Sequence, residues 1–449
     1  MNILLSTLRA IAYTLTDPML AFMLVILAVI LYRQNKKTTI MQRMIIGDSL
    51  NSALELTLSQ IVIGIFAGAF ASVILTFLGV AFDNDSAIYL IFLISIFFMF
   101  WKPKFICFAY SGAVLGFISL FLELISKVYA GVRFNFLGNT INLSDINILK
   151  IDIGALMTMV AVLHFVEGLL VMIDGKKGSI PVFTNRDDKI IGGFALRRSW
   201  VMPIALFFIV SNASSIGMTE NIATPNWWPV LKNSSLIGMA KDAAVTIFAY
   251  YGVIGYNSVT FTKNKEQKVV SSGVGLLAYS AILFAVSQLA HLGYFYKLFV
   301  VVFAPVAHEL MLNAQRYLEV KGTPKYLSTE EGIMVLEVAP NSPAKEMGIK
   351  SGDLIVEVNS RKVENEQDIF SAAKEALNFI SFKIKRGVGN LKEVSTNKLN
   401  SDKRLGLVLV PKNVPGDDKV VRYDDNKFKE MLDKMKNKSD EDNDDDNEM

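Results

Sequence analysis

Residues 1–312 carry long apolar runs separated by short polar stretches; from there to about residue 411 the apolar segments are short and alternate with turns, and beyond that the apolar pattern is lost. A helix that crosses a bilayer takes about 20 mostly apolar residues, because the hydrocarbon layer is about 30 Å thick. Nine runs are read as spans: 13–32, 54–78, 86–101, 105–125, 154–173, 200–217, 243–261, 272–290 and 294–312. Asp17-Pro18 interrupts the first, and only Lys102-Pro103-Lys104 separates the third from the fourth, so eight spans is an alternative. The expected fold class is an α-helical polytopic membrane domain (1–312), a linker helix (313–330), a small α+β, β-rich domain (331–411) and an amphipathic segment with a disordered acidic tail (412–449).

Within the soluble part, Ile333–Val338 reads as a strand. Ser342-Pro343 then starts a short helix with a serine cap and a proline in its first turn, which Gly348 ends. Leu354–Asn359 is a second strand. Ile369, Phe370, Ala373, Ala376 and Leu377 line one face of a helix over 365–378. Phe379–Arg386, Leu391–Thr396 and Arg404–Pro411 follow as strands. In the last stretch, Phe428, Met431, Leu432 and Met435 form one apolar stripe, and residues 439–449 are dense in Asp and Glu, which cannot bury enough surface to fold.

Composition sharpens this split. The 449 residues are 52% hydrophobic and only 19% charged, against about 25% charged in soluble domains. The net charge of +3 is spread between apolar runs and forms no basic patch, so nucleic acid is not an expected partner. With the N-terminus outside, the loops on the cytoplasmic side (Arg33, Lys36, Lys37, Arg43; Lys102, Lys104; Lys176 to Arg198; Lys263 to Lys268) hold the larger share of Lys and Arg. The expected location is a bacterial cell membrane, crossed several times, with the soluble domain and the C-terminus on the cytoplasmic side. The first run lacks a basic region ahead of a compact apolar core and ends in Arg33, so it reads as a retained span, not a cleaved signal. Cys107 is the one cysteine, which excludes an internal disulfide and a thiolate-rich zinc site.

Ionisable residues inside a span are costly and face the bundle interior. Glu55 and Gln60 open the second span, His164 and Glu167 form His-x-x-Glu on one helix face, and His308-Glu309 close the ninth. An intramembrane zinc protease would use His-Glu-x-x-His, and His308-Glu309 lacks the second histidine. Met172-Ile-Asp-Gly175 is only faintly similar to the third-ligand motif of site-2 proteases and stands before His308-Glu309, the wrong order. The expectation is a polar contact between the fifth and ninth spans, with no catalytic residue, metal or cofactor. Gly64, Gly68 and Ser72 form a small-residue row suited to close packing within the chain. Pro225-Asn-Trp-Trp-Pro229 reads as an interfacial aromatic anchor, and 126–153 as a short hairpin or re-entrant segment.

The run Gly332–Asn359, with Ser342-Pro343-Ala344 followed by Gly348-x-x-x-Gly352-Asp353-x-Ile355, resembles a PDZ domain of the circularly permuted bacterial type, over about 80 residues. That resemblance implies strand addition, in which an extended peptide pairs with a free sheet edge beside the long helix. Arg404, Leu405, Gly406 and Leu407 would supply the edge and carboxylate loop, and Phe370, Ala373 and Leu377 the helix wall. The other reading makes Leu405 and Leu407 plain core residues of the last strand. Asp402-Lys403-Arg404 replaces the usual approach to that loop, so the ligand is either a C-terminal carboxylate or an internal strand.

Together with this core, His164-Phe-Val-Glu-Gly168, Gly192-Gly-Phe-Ala-Leu-Arg-Arg-Ser-Trp200 with Pro203, and Pro305-Val-Ala-His-Glu309 give a chain that resembles the MinJ-type topological determinants of Gram-positive cell division over residues 150–411. The resemblance implies a non-catalytic scaffold linking a DivIVA-like and a MinD-like protein at poles and septum. A membrane transporter or sensor using the buried polar residues, and an intramembrane protease gated by the PDZ domain, are the alternatives.

Overall fold

The computed structural model describes residues 2–83, 86–101, 107–128, 133–136, 139–142, 149–210, 228–231, 244–376, 379–387, 389–397 and 404–412. The apolar stripe at 428–435, the acidic tail and Leu377 lie outside the described residues. Helix α1 (Asn2–Thr16) ends at Asp17, whose carboxylate accepts the N–H groups of Met19 and Leu20 and so caps α2 (Pro18–Ile46). Asp17-Pro18 is therefore a helix start, and not a flaw inside one span. Helix α3 (Ala53–Leu78) begins at a Ser52 cap and stops at Gly79, which adopts φ +80°. After β1 (Ala81–Asp83) come α4 (Leu90–Trp101), α5 (Phe108–Val128), a β2–β3 hairpin (Arg133–Phe136, Asn139–Asn142) and α6 (Ile153–Asp174).

Strands β4 (Ile180–Arg186), β5 (Lys189–Val210) and β6 (Ala244–Thr260) follow, then α7 (Lys265–Ser287) with a tight turn at Gln288–Leu292, and α8 (Tyr294–Lys321). Among the described residues, six helices are long and apolar enough to cross a membrane: α2, α3, α5, α6, α7 with its terminal turn, and α8. Their outward faces carry large apolar side chains such as Phe22, Phe66, Phe121, Ile282 and Leu310, as a lipid-facing surface requires. Helix α8 runs unbroken to Lys321, so the segment after residue 312 begins as an extension of the last span and is not a separate linker helix.

The runs at 200–217 and 243–261, expected as spanning helices, are instead β-strands over the parts described. Strand β5 pairs with β6 from Phe194↔Thr260 to Val210↔Ala244, with β4 and the short segment Tyr326–Leu327 at its start and with β1, in parallel, at its end. Its even positions (Leu196, Trp200, Met202, Ile204, Leu206, Phe208) join the main core with α5, α6 and α8. The odd positions turn the other way, Val201 toward Leu27 and Leu31 of α2, and Phe207 and Ile209 toward Ile3 of α1. A strand covered on both faces reads as one continuous apolar run, which hydropathy alone cannot separate from a helix.

The remaining edge of β5 is sealed by α3. A Cβ on Gly64 would stand 2.1 Å from the Val201 carbonyl oxygen, and one on Gly68 2.3 Å from that of Pro203. The next small residue, Ser72, accepts the Ala205 N–H at 2.9 Å. The small-residue row thus packs against a strand edge. It leaves Pro203, which has no N–H, on the side where no strand partner calls for one. Among spanning helices a backbone strand is tolerable only when its polar groups are met inside the protein; β6 pairs along one edge of β5, and Ser72 of α3 meets the Ala205 N–H on the other.

The C-terminal unit comprises β7 (Tyr326–Leu327), β8 (Ile333–Val338), α9 (Pro343–Glu346), β9 (Leu354–Val358), β10 (Arg361–Lys362), α10 (Glu366–Glu375), β11 (Ile380–Arg386), β12 (Asn390–Thr396) and β13 (Leu407–Leu409). Its sheet runs β12-β11-β9-β8-β13, so β12 and β13 are the edges. Ile333, Val335, Ile355, Ile369, Phe382, Ile384 and Leu407 form its core.

Candidate functional site

The first site is the β13 edge of the small domain. Gly406 has φ +76°, and a Cβ there would meet Ser342 Cβ at 2.2 Å, so this position tolerates glycine alone. The close approach lets the Leu405 and Gly406 carbonyls accept the Ala344 and Ala339 N–H groups at 3.2 and 2.9 Å. Ser342 caps α9 beneath them, its hydroxyl donating to the Ala339 carbonyl at 2.8 Å. Leu405 and Leu407 point into the core, so what they offer a ligand is backbone, and Arg404 is exposed beside Gly47.

The helix expected to form the other wall of a groove is α10, where Asn365 and Asp368 form a reciprocal capping box. Ile369 anchors the helix in the core, Ala373 is half-buried and Phe370 stays 42% exposed. Behind the groove, Arg386 makes a two-pronged pair with Asp353, at 2.7 and 2.6 Å. The carboxylate holds the guanidinium pKa above its ordinary value. Asp353 also accepts the Lys350 N–H at 2.8 Å, which fixes the Gly-Asp turn of the motif.

This domain is fastened to the helical block. Leu336, Ala339, Val408 and Val410 on its back pack against Ile46, Ile190, Phe194 and Tyr326. Gly192 lets Val410 and Leu336 approach. Lys265 pairs with Glu337 at 2.6 Å and lies over the Phe194 ring, and Asn341 donates to Asp48 at 3.3 Å.

The second site is a buried polar cluster at mid-height of the helical block. His164 (α6) and His308 (α8) have ring centroids 5.4 Å apart, with Cys107, just before α5, between them. Cys107 Sγ is 2.9 Å from His164 Nε2 and 3.6 Å from His308 Nε2. Glu167 Oε2 is 3.9 Å from His164 Nε2. Glu309 turns elsewhere and accepts the Tyr110 hydroxyl at 2.5 Å. The fifth and ninth expected spans thus meet through their histidines, with a thiol between them that the sequence reading had set aside. Cys107 offered no signal of spacing, because its partners are 57 and 201 positions away.

A third polar knot ties α6 to the sheet. Asp174 accepts from Arg198 and, at 3.0 Å, from Trp200 Nε1. Arg198 also donates to the Leu56 carbonyl and to Ser59 of α3. The sequence pattern places Arg198 among loop cations, whereas it is a buried residue of β5. Gln60, by contrast, receives a 2.6 Å bond from Asn35 of α2, while Glu55 sits at the exposed start of α3.

Comparison with known proteins bears on both halves. A PDZ domain family model matches residues 334–378. The chain is similar to the cell division topological determinant MinJ of Bacillus subtilis (strain 168), 24% identical over 197 residues, which is 43% of this chain and 45% of that protein. A probable cell division topological determinant MinJ of Lacticaseibacillus paracasei is 25% identical over 83 residues, 18% of this chain and 23% of its own length. Serine protease HTRA1 of Xenopus tropicalis is 33% identical over 69 residues, 15% of this chain and 14% of that protein. The chain thus spans less than half the length of the curated relatives it matches. Together with the apolar helices, these matches fit a MinJ-type membrane protein with a PDZ domain.

Proposed function

We propose that this chain is a non-catalytic membrane scaffold that recruits protein partners through a cytoplasmic PDZ domain, in division-site placement or cell-pole organisation. The observation that carries the reading is the edge position of β13, with Gly406 at its start; in this reading the exposed Phe370 and half-buried Ala373 of α10 form the wall opposite it. A partner segment adds as a strand to β13, its side chains meet the apolar α10 face, and Arg404 stands where a terminal carboxylate would end. The partners that suit a MinJ-type role are a DivIVA-like protein and a MinD-like protein. The lipid bilayer holds the scaffold in place.

The test uses the full chain in detergent with purified DivIVA-like and MinD-like proteins. Phe370→Asp and Ala373→Arg alter the exposed groove wall and leave the buried Leu405 and Leu407 intact. Each is expected to lower partner capture by roughly tenfold or more, the effect of spoiling one central apolar anchor. Capture equal to that of the unaltered chain would exclude the groove, and failure of the unaltered chain to hold either protein would exclude these partners.

A further inference from the structure

We propose that Cys107, His164 and His308, with Glu167 as the fourth donor, form a zinc site inside the helical block. Three elements bring the donors together: the start of α5, the middle of α6 and the middle of α8. The ligating atoms of Cys107, His164 and His308 all lie within 4.8 Å of one another and all three side chains are buried, and Glu167 Oε2 stands 3.9 Å from His164 Nε2. A thiolate, two imidazoles and a carboxylate are a donor set that zinc takes in four-coordinate sites.

Several details prepare these atoms for a metal. His164 Nδ1 lies 2.7 Å from the Val160 carbonyl oxygen, so that nitrogen carries the proton. The lone pair of Nε2 is thereby aimed at Cys107, in the backbone-oriented tautomer usual for metal-bound histidine. Cys107 Sγ accepts the Ala109 N–H at 3.4 Å, and a helix N-terminus favours a thiolate there. The ring of Tyr279 walls the cluster, with centroids 5.0 Å from His164 and 5.3 Å from His308, and is held by its hydroxyl bond to the Ala304 carbonyl.

Geometry and charge agree. Ligand atoms around a tetrahedral zinc stand roughly 3.5 Å apart. The Cys107–His308 separation of 3.6 Å already meets this, and the 2.9 Å Cys107–His164 contact opens by roughly 0.6 Å on binding. A dication balanced by one thiolate and one carboxylate has no net charge, which is what a low-dielectric interior requires. Binding releases the thiol proton, and the ion then joins α5, α6 and α8 beside the Tyr110–Glu309 hydrogen bond that already links α5 to α8.

The measurement is zinc content of the full-length protein, purified in detergent with any oligohistidine tag removed and dialysed against a weak chelator. About one zinc per chain is expected, falling at least about tenfold in Cys107→Ser and in His308→Ala. Replacing zinc by Co2+ in the unaltered protein gives a second readout that no variant's folding can confuse: a thiolate-to-cobalt charge-transfer band with tetrahedral visible bands. Zinc below about a tenth of an equivalent in the unaltered protein, a cobalt spectrum without the thiolate band, or full zinc retention in a monodisperse Cys107→Ser/His308→Ala protein would each overturn the site. In those cases the cluster is a thiol–imidazole hydrogen bond and nothing more.

Discussion

Asp174 ties α6 to β5 from inside the helical block. Fully buried, it receives Arg198 and Trp200 from β5, while Lys177 approaches its other oxygen at 3.0 Å from a partly exposed position. Removing one partner of a buried ion pair leaves the other charge stranded, at a cost of about 3–5 kcal/mol. Asp174→Asn is therefore expected to lower the thermal unfolding midpoint in detergent strongly. Lys177→Ala, which removes only the half-exposed cation, is expected to cost no more than about 1 kcal/mol. Equal effects of the two would contradict the assignment of Arg198 as the essential partner. None of this was legible beforehand: Asp174 and Arg198 stand 24 positions apart in different elements, and no periodicity links them. The histidine–glutamate pair, by contrast, was visible because three-residue spacing on a helix puts both groups on one face.

At the scale of elements, α3 and β5 define the architecture. Replacing glycine by alanine in a helix interior ordinarily stabilises by about 1 kcal/mol. At Gly64 and Gly68 the sign is expected to reverse, because the added carbon would overlap backbone oxygens of β5 that cannot move aside. Thermal midpoints of Gly64→Ala and Gly68→Ala, both falling, would bear this out, and a rise in either would contradict the helix-on-strand contact.

The row of small residues announced close packing correctly but not its partner. Two other features of the sequence pointed toward strands, had they been weighed above hydropathy. Residues 244–260 are rich in β-branched and aromatic side chains with Gly252 and Gly255 between them, and Pro203 interrupts any helix over 200–217. The small domain was far more legible, since its strands alternate and its helices carry Ser342 and Asn365 at their starts. Each of those cues acts over a few residues, whereas the pairing of β5 with β6 joins residues up to 66 positions apart.

On the scale of the whole molecule, the PDZ domain is held against the helical block, not hung from it. The back of β13, through Val408 and Val410, contacts Ile46, Ile190 and Phe194, while the front side chains Leu405, Leu407 and Leu409 serve the PDZ core. One short strand therefore has both faces occupied and only its edge left to bind. Strand β12, at the other end of the same sheet, is the competing edge. A photo-crosslinking amino acid placed in the full-length chain separates the two: Phe370 belongs to the groove wall proposed for β13, and Leu391 to exposed β12. On irradiation with a bound partner, the account predicts a partner adduct at position 370 and little or none at 391. An adduct confined to 391, or equal adducts at both, would contradict it.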